Sequence, residues 1–170
     1  YKALLFDRKL SIALAAFRMD YSDVQIPGSV ACVANGLPTF CGVVSNAGKA
    51  RLQGFEAETR LRLGALTLAG SLGYIDAEYK KYISNIASQP TDVAAFRHIQ
   101  NTHKWTGNAN ATYAIPMGDG RFDLSGGISF KSKTYQFEIA NPFIDQKGYS
   151  LVDASIVYHA PDNRFTIGVY

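Results

Sequence analysis

Apolar and polar residues alternate with a period of two through most of the chain, the pattern of strands with one apolar and one polar face. In residues 66–74, Leu66, Leu68, Gly70, Leu72 and Tyr74 oppose Thr67, Ala69, Ser71 and Gly73. Residues 105–115 set Trp105, Ala109, Ala111, Tyr113 and Ile115 against Thr106, Asn108, Asn110 and Thr112. Residues 55–63, 122–130 and 152–158 repeat the scheme through Phe55/Leu61, Phe122/Leu124/Ile128 and Val152/Ile156. A sixth segment, 10–26, alternates through Leu10, Ile12 and Leu14 and loses phase at Ala15-Ala16-Phe17, where a bulge would restore it.

The connections alternate as well. Residues 6–9, 63–65, 116–120 and 161–163 are short and rich in Gly, Pro, Asp and Asn, which suit tight turns. Between them lie longer links at 27–47, 84–102 and 139–147. Short and long connections in turn predict an all-β, antiparallel up-and-down meander with its long links at one end. Counting residues 1–6 and 164–170 as partial strands gives about eight strands. Segments 66–83 and 121–138 each hold about eighteen residues between connections, whereas strands of globular proteins usually run to about five or six. About 9–11 tilted residues cross a bilayer core, so these strands are long enough to cross and project beyond it.

Composition narrows the choice. Hydrophobic residues make up 47% and charged residues 18% of the 170, against about 25% charged in an average soluble chain. This composition excludes intrinsic disorder. No stretch approaches the roughly 18 apolar residues of a membrane helix, so any crossing is made by strands. The net charge of +3 is dispersed, with no basic stripe for nucleic acid. The apolar faces are rich in Gly and Ala and carry aromatics near both ends: Tyr113, Phe122 and Tyr158 beside short turns, Tyr74, Trp105 and Phe130 toward long links. Paired aromatic belts belong to membrane barrels. The opposite faces carry Glu56, Glu58, Arg60, Arg62, Asp123, Lys131 and Asp153, which must be wet or mutually paired. A one-residue slip would move Arg60 and Arg62 into lipid, at about 2–4 kcal/mol each at the midplane.

Residues 46–79 carry a further signal. Asn46-Ala47-Gly48 and Gly54-Phe55-Glu56-Ala57-Glu58 are followed, after a turn, by Leu66-Thr67-Leu68-Ala69-Gly70-Ser71-Leu72-Gly73-Tyr74. This phrase resembles the barrel of TonB-dependent outer-membrane receptors, with echoes at residues 16–23 and 149–154. The resemblance implies a 22-stranded transmembrane barrel plugged by an N-terminal domain. It also implies import of a scarce nutrient (an iron chelate, cobalamin or a glycan) driven by the TonB energising complex. On this reading residues 1–170 are one partial barrel domain. The plug and the final strands lie outside it, the apolar face meets outer-membrane lipid, and no cofactor is called for. Two rivals have different requirements. A small complete barrel, acting as a passive pore or anchor, needs residues 1–6 to pair with residues 164–170. An outer-membrane enzyme needs a catalytic constellation, and the nearest motif, Ala69-Gly70-Ser71-Leu72-Gly73, misses Gly-x-Ser-x-Gly at its first position and sits mid-strand.

Candidate chemistry is sparse. Cys32 and Cys41 share the first long link. In an oxidising envelope a bridge between them would stabilise by about 2.5–3 kcal/mol on the chain-entropy model; free thiols, or redox or metal chemistry, are the alternatives. His98 and His103 are five apart with no acidic partner at metal-ligand spacing, so solvated loop histidines are weighed against metal capture, and no metal site is assigned. The Glu56–Arg62 run either lines a transport path or forms a ladder paired with charges on neighbouring strands. Tyr79, Tyr82, Phe96, His98, Tyr135, Phe137 and Phe143 lie at or near the long links, placed to stack on a ligand or to pack the loops.

Overall fold

The period-two segments fold as one antiparallel sheet in the computed structural model, which describes residues 1–86 and 89–170. The strands are β1 (Lys2–Leu5), β2 (Leu10–Ala34), β3 (Leu37–Leu63), β4 (Leu66–Ile86), β5 (Gln89–Asp92), β6 (Trp105–Met117), β7 (Gly120–Lys131), β8 (Tyr149–His159) and β9 (Thr166–Val169). Eight follow one another across the sheet, and β5 folds back on the far end of β4. The four short connections form tight turns, with Phe6, Asp7, Arg8, Gly64, Gly118, Asp162 and Asn163 at positive φ. β1 and β9 are the two edges of the sheet and do not pair, so these strands do not close the small barrel of the rival reading.

Register carries the two faces across the whole sheet. Leu63, Leu66, Tyr113, Leu124, Ile156 and Val169 are successive cross-strand partners in one apolar row. Arg62, Thr67, Thr112, Ser125 and Ser155 form the neighbouring polar row. Neither face is covered. Leu68, Leu124 and Ile156 are 38%, 46% and 52% exposed, and the buried apolar residues among those described are only Ala50, Tyr82, Val93 and Ala160. The stability of this part of the sheet therefore rests on its backbone ladder and cross-strand pairs, with no sealed core behind it.

Three long connections differ from expectation. Residues 27–47 are strand. β2 and β3 continue as a two-stranded ribbon from Val24↔Gly48 to Ala34↔Leu37, closed by Asn35-Gly36 at φ 55° and 79°. That is the left-handed pair a two-residue hairpin turn demands, and glycine adopts it without strain. In the 84–102 link, β4 runs on to Ile86, and β5 is followed by a single 3₁₀ turn at Ala94–Phe96. β7 stops at Lys131, so the last long connection is 132–148 and the expected long strand 121–138 is shortened. The phase loss at Ala15-Ala16-Phe17 is no bulge. Pairing is continuous from Leu10 to Ser22 and shifts only around Asp23, at φ 56°. Alternation fades there because the polar-face positions Ala13, Ala15, Phe17 and Met19 are themselves apolar.

Candidate functional site

Aromatic residues mark two levels on the apolar face. Phe55, Tyr74 and Trp105 are cross-strand neighbours with ring centroids 5.7, 4.6 and 5.9 Å apart. Near the short turns, Phe122 and Tyr158 pack at 4.9 Å and Tyr158 lies 6.2 Å from Phe165. Between the levels the face is mainly Leu, Ile, Val, Ala and Gly, with Thr59 and Phe130 among them. Gly107 is needed there for space, since a Cβ would stand 2.5 Å from the Phe130 ring. From Trp105 to Ile115 the strand advances about 33 Å, or about 25 Å in height at a tilt of about 40°.

One step beyond the upper aromatic row, the same face turns ionic. Arg18, Gln53 and Asp76 occupy the next row, then Asp20, Arg51 and Glu78. Asp20 accepts from Arg51 Nε at 2.6 Å and from Arg18 Nε at 3.2 Å. Gln53 donates to Asp76 at 3.4 Å, and Lys104 Nζ stands 3.5 Å from Asp76 while lying 5.6 Å over the Tyr74 ring. The sequence reading missed this boundary. Its signal was available: the outward positions of β2, β3 and β4 change from Leu14, Ala57 and Leu72 to Arg18, Gln53 and Asp76 while the period stays at two.

The polar face gathers the predicted charges. Glu56, Glu58, Arg60, Arg62, Asp123, Lys131 and Asp153 all lie on it by register. A concave wall of about 560 Å³ joins Arg8, Lys9, Glu58, Arg60, Arg62 and Asn108. Among the described residues, the direct cross-strand neighbours of the Glu56–Arg62 run are uncharged. Arg60 faces Ser11 and Ala69, Glu58 faces Ala13 and Ser71, and Glu56 faces Ala15 and Gly73. Among the described residues, Asp123 is the one of these charges that is paired, with Arg121 Nε at 2.8 Å and His159 Nε2 at 3.1 Å. Unpaired charges on an open wall are stable only in contact with water or an opposite charge.

At the far end the rings form two pairs, Tyr79 with Tyr82 and His98 with Tyr135. Tyr82 packs on Val93 with Tyr79 alongside at 5.1 Å. Its hydroxyl donates to Glu138 at 3.1 Å, and Arg97 lies 5.8 Å over its ring. Burial first, and the Glu138 carboxylate second, push the Tyr82 phenol up to about 12. His98 stacks flat on Tyr135 at 3.7 Å, and Lys133 covers the same ring at 4.4 Å while pairing with the buried Asp145 at 3.4 Å. These four rings therefore pack the loops. Phe96, Phe137 and Phe143 stand 76%, 59% and 94% exposed. Cys32 and Cys41 are bonded across the ribbon near its turn, with Cα atoms 5.8 Å apart. Among the described residues, no group of three metal-ligating side chains converges, and His103 bonds the Ser132 carbonyl instead.

Comparison with known proteins matches this geometry. The family model "TonB dependent receptor-like, beta-barrel" matches residues 1–170. No curated protein sequence matches significantly. Among solved structures, the siderophore receptor PiuA of Acinetobacter baumannii aligns with TM-score 0.59 and 18% identity over 92% of this chain. BauA, the ferric preacinetobactin receptor of the same organism, aligns with TM-score 0.59 and 21% identity over 91%. The siderophore receptor PirA gives 0.56 and 18% over 92%. The chain spans 20%, 21% and 24% of those three proteins, and at these identities the likeness is one of fold. The meander of long antiparallel strands and the family match agree over the full length: the chain belongs to the TonB-dependent receptor β-barrel family.

Proposed function

We propose that this chain is a wall segment of an outer-membrane active importer, a TonB-dependent receptor that takes up a scarce nutrient such as an iron chelate. The observation that carries the reading is the apolar face, bounded by two aromatic levels and turning ionic one step beyond the upper one. A face of that height, left open in water, would be an aggregation surface; against acyl chains it needs no cover. The upper aromatics then sit at the lipid–water interface, and the Arg18–Asp20–Arg51 and Asp76–Lys104 groups lie in the headgroup region.

The polar face, on this reading, encloses the lumen. Its unpaired Arg60, Arg62, Glu56 and Glu58 line the side of the plug and the transport path, and the energising complex acts through that plug. The strand extensions, the Cys32–Cys41 ribbon and the exposed Phe96, Phe137 and Phe143 stand outside the cell, where a nutrient is first met. The names of PiuA, PirA and BauA support an iron-chelate cargo. The test is uptake of radiolabelled ferric chelates by cells whose only receptor is the full-length protein carrying this segment. Uptake that depends on the energising complex, and falls when Phe96, Phe137 and Phe143 are together replaced by Ala, is the expected result. Diffusive uptake that ignores the energising complex would indicate a passive pore.

A further inference from the structure

The polar face is strongly charged toward the short turns, but at the opposite rim of β6–β8 it holds a cavity of different chemistry. About 350 Å³ in volume, it is lined by Asn101, His103, Thr134, Gln136, Gln146 and Tyr149, with no carboxylate, lysine or arginine among them. Tyr149 fixes its direction. That residue pairs with Lys131, which pairs with Thr106, so all three lie on the polar face. Tyr149 also lines a second cavity running down that face past Ser129, Asn108 and Leu151.

We propose that this rim cavity binds a neutral polyhydroxylated group, one sugar ring or a polyol of that size, as part of the imported nutrient. The inference rests on the importer reading and names the chemistry its wall selects. A hydroxyl both donates and accepts, and it is best met by side chains that do both or that alternate. Asn101 and Gln136 offer both groups of an amide. The His103 Nδ1 donates to the Ser132 carbonyl at 2.7 Å, because a carbonyl only accepts, and Nε2 is left free. Gln146 Nε2 is engaged with the Lys147 carbonyl at 3.2 Å, which leaves Oε1 as an acceptor. Thr134 backs the wall, only 4% exposed, and its buried hydroxyl is not among the groups that meet the ligand. Tyr149 supplies a half-exposed ring edge or face for the C–H side of a sugar.

Other ligand classes fit less well. An apolar group would strip water from the polar side chains of the wall and return no hydrogen bonds. An anionic group requires cations in the wall, and none lines it; of the lysines nearby, Lys133 is held by Asp145 and Tyr135, and Lys104 by Asp76. Lys131 lines the adjoining cavity and not this one.

The experiment is saturation-transfer NMR and calorimetric titration of the full-length receptor in nanodiscs. Sucrose, raffinose and myo-inositol serve as neutral probes, with citrate and gluconate as anionic comparators. Saturable, salt-insensitive binding of a neutral probe is expected, weakened about tenfold by Asn101→Ala or Gln136→Ala. Heat-resistant gel migration of each variant verifies that the barrel is intact. No saturable binding of any neutral probe, binding unchanged in the Asn101→Ala/Gln136→Ala double variant, or preference for the anions would overturn the proposal. The titration needs no energising complex. Loss of sugar binding with energised chelate uptake intact thus removes the sugar site alone, whereas sugar binding without energised uptake removes the importer reading.

Discussion

On either side of the Phe55–Tyr74–Trp105 row, the same strands follow different rules. On the short-turn side, each strand has one oily and one polar face, side chains are small or aliphatic, and the ladder runs without a register shift from β2 to β8. On the other side the outward face is ionic while the opposite face carries Met19, Leu52, Ala77 and Tyr79, and register shifts occur at Asp23 and between Lys49 and Ala50. Order there comes from a disulfide, from Tyr82 on Val93, and from the Lys133–Asp145 pair. The backbone is β on both sides, so the change reflects the medium outside the sheet. Lipid punishes an exposed charge and an unpaired backbone group. Water punishes neither, and irregular loops become affordable.

The sharpest way to break the comparison is to exchange the rules. Ile128→Arg, opposite Ala109 in the middle of the apolar band, should cost about 2–4 kcal/mol near the midplane. Gln53→Arg, on the same face but beyond the aromatic row, should stay within about 0.5 kcal/mol. Urea unfolding of the full-length receptor in liposomes measures both, and equal costs would erase the boundary. Next comes the ribbon. Cys32→Ser with Cys41→Ser should remove about 2.5–3 kcal/mol of local stability, seen as faster amide exchange in residues 24–48 with unchanged exchange in β6–β8. A slowdown of folding across the whole sheet would show that the two regions are not separate.

The smallest effect is one of pH. The backbone N–H groups of Tyr82 and Ala94 both donate to Asp92 Oδ1 at 3.0 Å and hold its carboxyl below the usual range. A depressed carboxylate contributes its stability above the ordinary carboxylate pKa and loses it as pH falls through the lowered one. Amide exchange at Tyr82 and Ala94 should therefore accelerate only in acid below the ordinary carboxylate range. Asp92→Asn should flatten that dependence.

These regions also differ in how readable they were. Band residues such as Leu68, Leu124 and Ile156 were legible because one face meets a single apolar medium and period two follows directly. The resemblance at 46–79 reached the family for the same reason. The ribbon reads as a long link because residues 24–48 contain no charge, and nothing in their polarity separates strand from loop. The Asn35-Gly36 pair was the available hairpin signal. Residues 132–138 alternate well enough to extend β7, yet Thr134 pairs with Gln146 and Asp145 accepts from the Gln136 and Asn141 amides. Partners brought together by the fold of a loop do not show in a local period-two pattern. The rim cavity was invisible for the same reason, since its six side chains come from three separate stretches.

Everything turns on which medium each face meets. Nitroxide labels placed singly at Leu124, Ser125, Ser155 and Ile156 of the full-length receptor in liposomes read this directly, through collision with oxygen against a water-soluble nickel chelate. Labels at Leu124 and Ile156 should collide with oxygen and be shielded from nickel, and those at Ser125 and Ser155 should show the reverse. Nickel access at Leu124 and Ile156, or shielding of both faces alike, would contradict the account.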